Sequence, residues 1–373
     1  MKRFLLHLLI LAVIGAIGAG LIIGLGLYNV SARQGHLPGV SWVLHTTYRN
    51  AVELRAPPAA EVPDLASSDL IALGARHYDS ACRFCHGPPG GRQGATPRAM
   101  EPPPPPILEA IRHWQPRHLF WIVLNGVKMT GMPGWPTAAR EDEVWAVVAF
   151  LETLQREGRA ESYADLVAPP GEAEEAPRLQ RCAVCHGLDG EGRGNARVPR
   201  LDMQKEAYLA ASLEAFRDGS RESGIMRQAA ASLDDKEISI LAAHFAAGGG
   251  PLGPADPPDA GDSSRAVLIQ KGRALAFGLA ADPDVPACRA CHGPWPTRRS
   301  PLFPNLAGQH ELYLATQMRL WREGLRGGTE RSNLMHRAAV ELTDDAIKAL
   351  AAFYAAGAPT LRNTAEDPAS SPD

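Results

Sequence analysis

The sequence leaves no cysteine outside a pair, carries no excess of positive charge, has no second long apolar run and shows no stretch of alternating β-branched residues. Each absence excludes something. Its 38 Lys+Arg face 41 Asp+Glu, so a strongly basic nucleic-acid binder is ruled out and no nucleic acid is expected as a partner. A single apolar run rules out a multi-span transporter. Without period-two alternation there is no case for a sheet, and an all-α fold is expected. At 45% hydrophobic and 21% charged residues, the chain as a whole is globular rather than disordered or collagen-like. Its 373 residues correspond to roughly two to three domains at about 150 residues each.

The apolar run, Phe4–Leu27, is 24 residues long with His7 as its one clearly polar member. As a helix it reaches about 36 Å, more than the roughly 30 Å of a hydrocarbon core. Lys2 and Arg3 hold its start on the inner side, so everything after Tyr28 is exported. The run exceeds the roughly 7–15 apolar residues of a signal peptide. Residues 1–30 are therefore read as a retained single-pass anchor in a bacterial inner membrane, with the N-terminus inside. The small residues at Val30-Ser31-Ala32 keep a cleaved signal as the alternative. Residues 31–66 form a juxtamembrane segment whose apolar members, Trp42, Val43, Leu44, Tyr48, Val52 and Leu54, have amphipathic spacing.

The six cysteines form three pairs, each followed at once by histidine: Cys82-Arg83-Phe84-Cys85-His86, Cys182-Ala183-Val184-Cys185-His186 and Cys288-Arg289-Ala290-Cys291-His292. Two thiols at this spacing can add across the two vinyl groups of a haem, and the adjoining histidine then reaches the iron from the same side. Composition alone predicts roughly 0.003 such pentads, so three are no accident. A zinc site would draw four ligands from two clusters without needing the trailing histidine. Thioredoxin-like chemistry would want a βαβ setting. Local disulfides would leave the histidines unexplained. Three covalently bound haem c groups are the expectation, and their attachment outside the cytoplasm agrees with the charge of the anchor.

The pentads fall in three blocks: 67–158, 177–248 and 265–358. The segments between them, 159–176 and 249–264, are rich in Pro, Gly and acid and read as linkers; 359–373 reads as a disordered tail. Blocks two and three repeat each other. Tyr208-Leu209, Phe216 and Gly219 match Tyr313-Leu314, Trp321 and Gly324 at an offset of 105, and Met226 and Leu241 match Met335 and Leu350 at 109. Within the blocks, Val144, Trp145, Val147, Val148, Leu151 and Leu154 mark one helical face, and further helices are expected over Ile238–Ala246, Tyr313–Arg322 and Ile347–Ala355.

Each block resembles a class I cytochrome c module, including the glycine after each pentad (Gly87, Gly187 and Gly293). The resemblance implies three tandem modules after one transmembrane helix, each with a helix before the pentad, a downstream methionine as sixth iron ligand and a last helix packed on the first. In Val127-Lys128-Met129-Thr130-Gly131-Met132-Pro133 the family's segment places the ligand directly before proline, which favours Met132 over Met129. Met226 and Met335, 40 and 43 residues after their histidines, are the equivalents in the other two. The rivals are histidines: His336 beside Met335 above all, with His113, His118 and His310 expected on solvated helix faces. Met318 and Met203 read as core filling. The resemblance also gives a proline carbonyl the task of orienting each pentad histidine. Pro199 and Pro304 fit that position, whereas the first block offers Pro102–Pro106 without a choice among them. Trp121, Trp135, Trp145, Phe216, Trp321 and Tyr354 read as core and haem packing.

Three haems on one anchored chain imply an electron carrier rather than an enzyme. Modules two and three resemble two-domain dihaem cytochromes c, and the whole resembles tri-haem subunits of periplasmic dehydrogenases. The implied partners are a periplasmic dehydrogenase, a terminal oxidase or quinone. The long anchor departs from that pattern. The alternative is a haem enzyme with one open iron acting on a small substrate; a haem-based sensor lacks any signalling module.

Overall fold

A computed structural model of the protein describes residues 2–157, 163–171, 177–247, 263–279, 285–293, 300–328 and 332–357. Among them the regular elements are helical, and one isolated antiparallel bridge joins Arg221 to Gly327. Helix α1 (Lys2–Gly24) has no buried residue and, among the described residues, is the one helix long and apolar enough to cross a membrane. It stops three residues short of the apolar run, because Gly26 takes a left-handed φ of 63° that turns the chain out of the helix.

Helix α2 (Val40–Arg55) carries the juxtamembrane stripe, and its two halves differ. The second half sits on the first module: Val52 is fully buried, Tyr48 meets the Trp114 ring edge-on at 5.7 Å, and Glu53 contacts Arg117 at 2.5 Å and His118 at 2.9 Å. Trp42, Val43 and Leu44 of the first half are exposed, as is Leu54.

In module 1, α3 (Ser68–His77) runs through a wide turn, Tyr78–Cys82, into the single turn Arg83–His86. Helices α4 (Pro116–Asn125) and α5 (Val144–Glu157) close the core around Tyr78, Ile111, Phe120, Val147, Phe150 and Leu154. The face marked in the sequence is buried except for Trp145, which stacks on Phe120 at 4.2 Å. Part of the first linker is seated too. Tyr163–Val167 is a helical turn, with Tyr163 stacked on Phe150 at 5.8 Å and Arg76 Nε donating to the Leu166 carbonyl at 3.1 Å.

Module 2 is α6 (Pro177–His186), α7 (Glu206–Asp218), α8 (Gly224–Ala230) and α9 (Asp235–Ala247) around Leu179, Phe216, Ile238 and Phe245. Module 3 is α10 (Ser263–Ala276), α11 (Glu311–Arg322), α12 (Ser332–Ala339) and α13 (Asp344–Ala355) around Leu275, Trp321, Ile347 and Leu350. Thr343 caps α13 by accepting from the Ala346 N–H at 3.1 Å. The expected tail and nearly all of the second linker lie outside the described residues.

In modules 1 and 3 the first helix crosses the last at a glycine. A Cβ on Gly74 would stand 1.8 Å from the Ala146 carbonyl oxygen, and one on Gly272 would stand 1.9 Å from that of Ala349. Backbone, not a movable side chain, fills the space, so an added methyl must spread the helices. Gly74→Ala and Gly272→Ala should each destabilise their own module by about 1–3 kcal/mol. Denaturant unfolding checks this; unchanged midpoints in both variants would refute the close crossing.

Candidate functional site

Each pentad ends a helical turn, and the glycine behind it has a left-handed φ: 74° at Gly87, 77° at Gly187 and 79° at Gly293. A side chain at these positions would be strained. The glycines let the chain turn back beneath the histidine. What returns is a proline. His86 Nδ1 lies 2.9 Å from the Pro105 carbonyl oxygen, His186 Nδ1 3.3 Å from that of Pro199, and His292 Nδ1 3.1 Å from that of Pro304. Within the run Pro102–Pro106 of module 1, the one that faces the ring is Pro105.

A carbonyl can only accept, so Nδ1 carries the hydrogen and Nε2 keeps its lone pair, which is the tautomer a metal ligand needs. Burial lowers the pKa of His186 to about 4 and holds that of His86 below the usual histidine range, keeping both rings neutral. Two further residues hold the first pentad that sequence reasoning did not single out. Gln93 Nε2 donates to the carbonyls of Cys85 (2.8 Å) and Pro104 (2.7 Å), and the Tyr78 hydroxyl donates to the Gly87 carbonyl at 2.5 Å.

The leading cysteine of each pentad packs against its module's core. Burial pushes the thiol of Cys82 up to about 12, and those of Cys182 and Cys288 to about 11. Thiols held protonated are poor redox nucleophiles, but an apolar setting suits sulfur bonded to carbon. Cys85 and Cys185 are half-buried and Cys291 is exposed. Among the described residues no three His, Cys, Asp or Glu side chains converge to hold a bare metal ion. These donors fit an iron whose other positions a porphyrin fills.

The structure brings His292 and Met335 together, with Nε2 3.4 Å from Sδ. Met226 packs against the core cluster that also contains Cys182. Met132 is half-buried, its carbonyl accepting from the Val127 N–H and its N–H donating to Thr130 Oγ1, each at 3.1 Å. Met129 is 79% exposed on a left-handed backbone. Met318 is partly buried in the module 3 core. Met203 is buried where modules 2 and 3 meet, its sulfur 3.7 Å from Gln309 Nε2.

Three of the four rival histidines are engaged elsewhere. His336 Nδ1 faces the Trp321 carbonyl at 2.7 Å, and His113 is exposed. Two do not lie on solvated faces. His118 is buried and closes the start of α4, its Nδ1 accepting from the Gln115 N–H at 3.2 Å. His310 is half-buried, with Nε2 3.2 Å from the Glu191 carbonyl of module 2. Glu53 of α2, 2.9 Å from His118 Nε2, and Glu191 of module 2 reach these rings from segments far away in sequence, so helical periodicity gave no sign of them.

Modules 2 and 3 meet through a repeated exchange. Gln204 Nε2 donates to the Asn305 carbonyl at 2.9 Å and Gln309 Nε2 to the Arg200 carbonyl at 3.0 Å, while each amide oxygen accepts the matching N–H. Beside this seam Arg221 and Arg326 are buried. Arg221 lies over the Phe216 ring and Arg326 over that of Trp321, each at 4.4 Å, and Arg221 donates to the Tyr313 hydroxyl at 3.3 Å. Burial alone would raise Tyr208; Arg221 and Arg326 outweigh it and bring its pKa down to about 8. Two buried guanidiniums facing phenols and each other form a strongly positive niche, which fits the carboxylates of haem.

Residues 69–151 match the family described as cytochrome c oxidase, cbb3-type, subunit III, and residues 176–245 match cytochrome c. The thiosulfate dehydrogenase electron acceptor of Stutzerimonas stutzeri (strain A1501) is 36% identical over 179 residues, 48% of this chain and 80% of that protein. Cytochrome c4 of Pseudomonas aeruginosa is 32% identical over 208 residues, 56% of this chain and 96% of that protein. The solved structure of reduced cytochrome c4 from Pseudomonas stutzeri covers 48% of this chain and 95% of its own, at 30% identity and a TM-score of 0.41. On the thiosulfate dehydrogenase electron acceptor and the Pseudomonas aeruginosa cytochrome c4, each over 30% identical and covered over most of its length, the chain belongs to the cytochrome c family.

Proposed function

We propose that this chain is a membrane-tethered tri-haem c-type cytochrome that passes electrons from a periplasmic dehydrogenase to a respiratory acceptor. The observation that carries the reading is the thrice-repeated pentad whose histidine is turned by a proline carbonyl. The ligand pairs are His86 with Met132, His186 with Met226 and His292 with Met335. Cys82, Cys85, Cys182, Cys185, Cys288 and Cys291 form the thioether links. Arg221, Arg326, Tyr208 and Tyr313 receive propionates at the boundary of modules 2 and 3. The bound haem supplies an iron that gains and loses one electron without bond making. The chain supplies neutral imidazoles, apolar walls that keep water out, and thioethers, which raise the potential.

A dehydrogenase donor is supported by the relative named as an electron acceptor for thiosulfate dehydrogenase. The oxidase-subunit family matched by module 1 supports a terminal oxidase as acceptor. An apolar α1 with Lys2 on the inner side supports a periplasmic location for the modules, within reach of an oxidase or of quinone.

A redox titration of the purified protein should count three haems, and carbon monoxide should leave the native reduced spectrum unchanged. Stoichiometric binding of the gas by one haem would favour an enzyme with an open iron. Met226→Ala or Met335→Ala should lower one haem's potential by on the order of 100 mV, within the roughly 0.8 V over which axial ligands act. The other two haems should keep theirs. An unaltered titration would refute that ligand. Alkaline carbonate washing should leave the cytochrome with the membranes, whereas release of full-length protein would mean that α1 does not span.

A further inference from the structure

Modules 1 and 2 meet where the turn bearing Met226 begins. Glu143, at the end of the turn Ala138–Glu143 ahead of α5, reaches across the boundary. Its Oε1 accepts from the Ser223 hydroxyl at 2.6 Å, and its Oε2 accepts from the N–H groups of Gly224 at 2.7 Å and Ile225 at 3.2 Å. Ser223 Oγ in turn accepts from the Met226 N–H at 3.1 Å. A carboxylate of module 1 is thus two hydrogen bonds from the backbone of Met226.

Other contacts of module 1 hold the same turn. Arg140 lies 3.1 Å from Glu143 and donates to the Glu222 carbonyl at 3.2 Å, and Thr137 donates to the Glu222 carboxylate. Arg227 reaches the Pro136 carbonyl at 3.4 Å. On another side of the turn lies Trp135, three residues after Met132. A Cβ at Gly224 would stand 2.1 Å from the indole Nε1, so glycine alone admits the ring. Ser223, Gly224 and the Glu143 side chain are all buried. A carboxylate drawn out of water is retained only where donors surround it, and here they do.

The matching turn of module 3, Ser332–Met335, is placed differently. Asn333 and Leu334, at the positions of Gly224 and Ile225, are exposed. In module 3 the turn that bears the methionine is exposed, whereas in module 2 it lies in a seam.

We propose that Glu143 is a positioning residue for Met226, so that module 1, by docking, sets the axial ligand and the potential of the haem in module 2. The inference rests on Met226 being that haem's ligand, and the experiment separates the two ideas. It uses the full-length holoprotein and reads each haem's potential, together with the weak red band that marks sulfur bound to ferric iron. A third readout, amide hydrogen exchange at Gly224 and Ile225, does not depend on haem.

Met226→Ala tests the ligand; if it keeps that haem's sulfur–iron band, the ligand reading fails and the positioning role with it. If the band is lost, Glu143→Ala should weaken the same band and lower the same potential, leaving the other two haems unchanged. Exchange at Gly224 and Ile225 should quicken by about ten- to a hundredfold, as suits loss of hydrogen bonds to a charged group. Glu143→Gln retains the shape and one acceptor oxygen and should restore most of the band and the potential; it is also the variant to read if Glu143→Ala does not assemble. Gly224→Ala, by displacing Trp135, should move the potential in the same direction. Faster exchange with an unchanged band and potential would overturn the proposal, because Glu143 would then merely join the modules.

Discussion

The hydrogen bond between each pentad histidine and a prolyl carbonyl is the contact around which the rest of the molecule is arranged. It requires the chain to leave the pentad through a left-handed glycine and to come back under the ring within 12 to 19 residues. In modules 2 and 3 the residue after that proline is already a docking residue. Pro199 precedes Arg200 and Pro304 precedes Asn305, whose backbones take the Gln309 and Gln204 side chains. Ring orientation and module contact are therefore neighbouring links of one short segment. A shift of the seam would be felt at the histidine. In module 1 the same bond leads instead into the short helix Ile107–Ile111, whose two ends are buried in that module's own core.

The two seams between modules follow from this difference. Modules 2 and 3 are repeats, so Gln204 bonds Asn305 as its equivalent Gln309 bonds Arg200, reciprocally, as in the isologous contact of a two-fold dimer. Arg221 with Arg326 and Tyr208 with Tyr313 are further such pairs, and they gather like charge at the pseudo-axis. Burying that charge is costly, and Ser212, Tyr313 and Gln317, which accept from the two guanidiniums, offset part of the cost. Module 1 has no such symmetry to use. It meets module 2 through single, unrepeated contacts: Asp69 with Asn195 and Ala196, Glu143 with the Ser223 turn, and Trp135 with Gly224.

What was legible in the sequence was what depends on local spacing. Periodicity placed α5, α9, α11 and α13 to within a few residues, and the pentads marked which turns matter. The offset identified the repeat, but that Gln204 and Gln309 bond across a seam comes from the structure alone. The rest depended on segments distant in the chain. Pro102–Pro106 are alike in chemistry, and only the path of the loop selects Pro105. His118 and His310 look like surface histidines until α2 and module 2 are laid over them. Glu143 reads as one more acid at a helix start, a place acids favour in any case. Its partner is Ser223, 80 residues away. The six apolar residues before module 1 read as one stripe, yet half of α2 is seated and half is not, because Trp114, Arg117 and His118 reach only its second half.

That half-seated helix also bears on the order of the modules. Between the end of α1 and the start of α2 lie residues 25–39, which at full extension reach at most about 50 Å. Module 1, held by Tyr48, Val52 and Glu53, cannot stray further from α1 than that length plus about 12 Å for the first half of α2. Module 2 is fixed on module 1, and module 3 on module 2, by side chains with buried partners. With α1 in a bilayer, module 1 is therefore the module tied to it by the shortest stretch of chain, and the repeated pair follows through the two seams. The order of the modules thus follows from the chain and its two seams, whereas in the proposed carrier the direction of electron flow would be set by potentials that the residues around each haem would adjust separately.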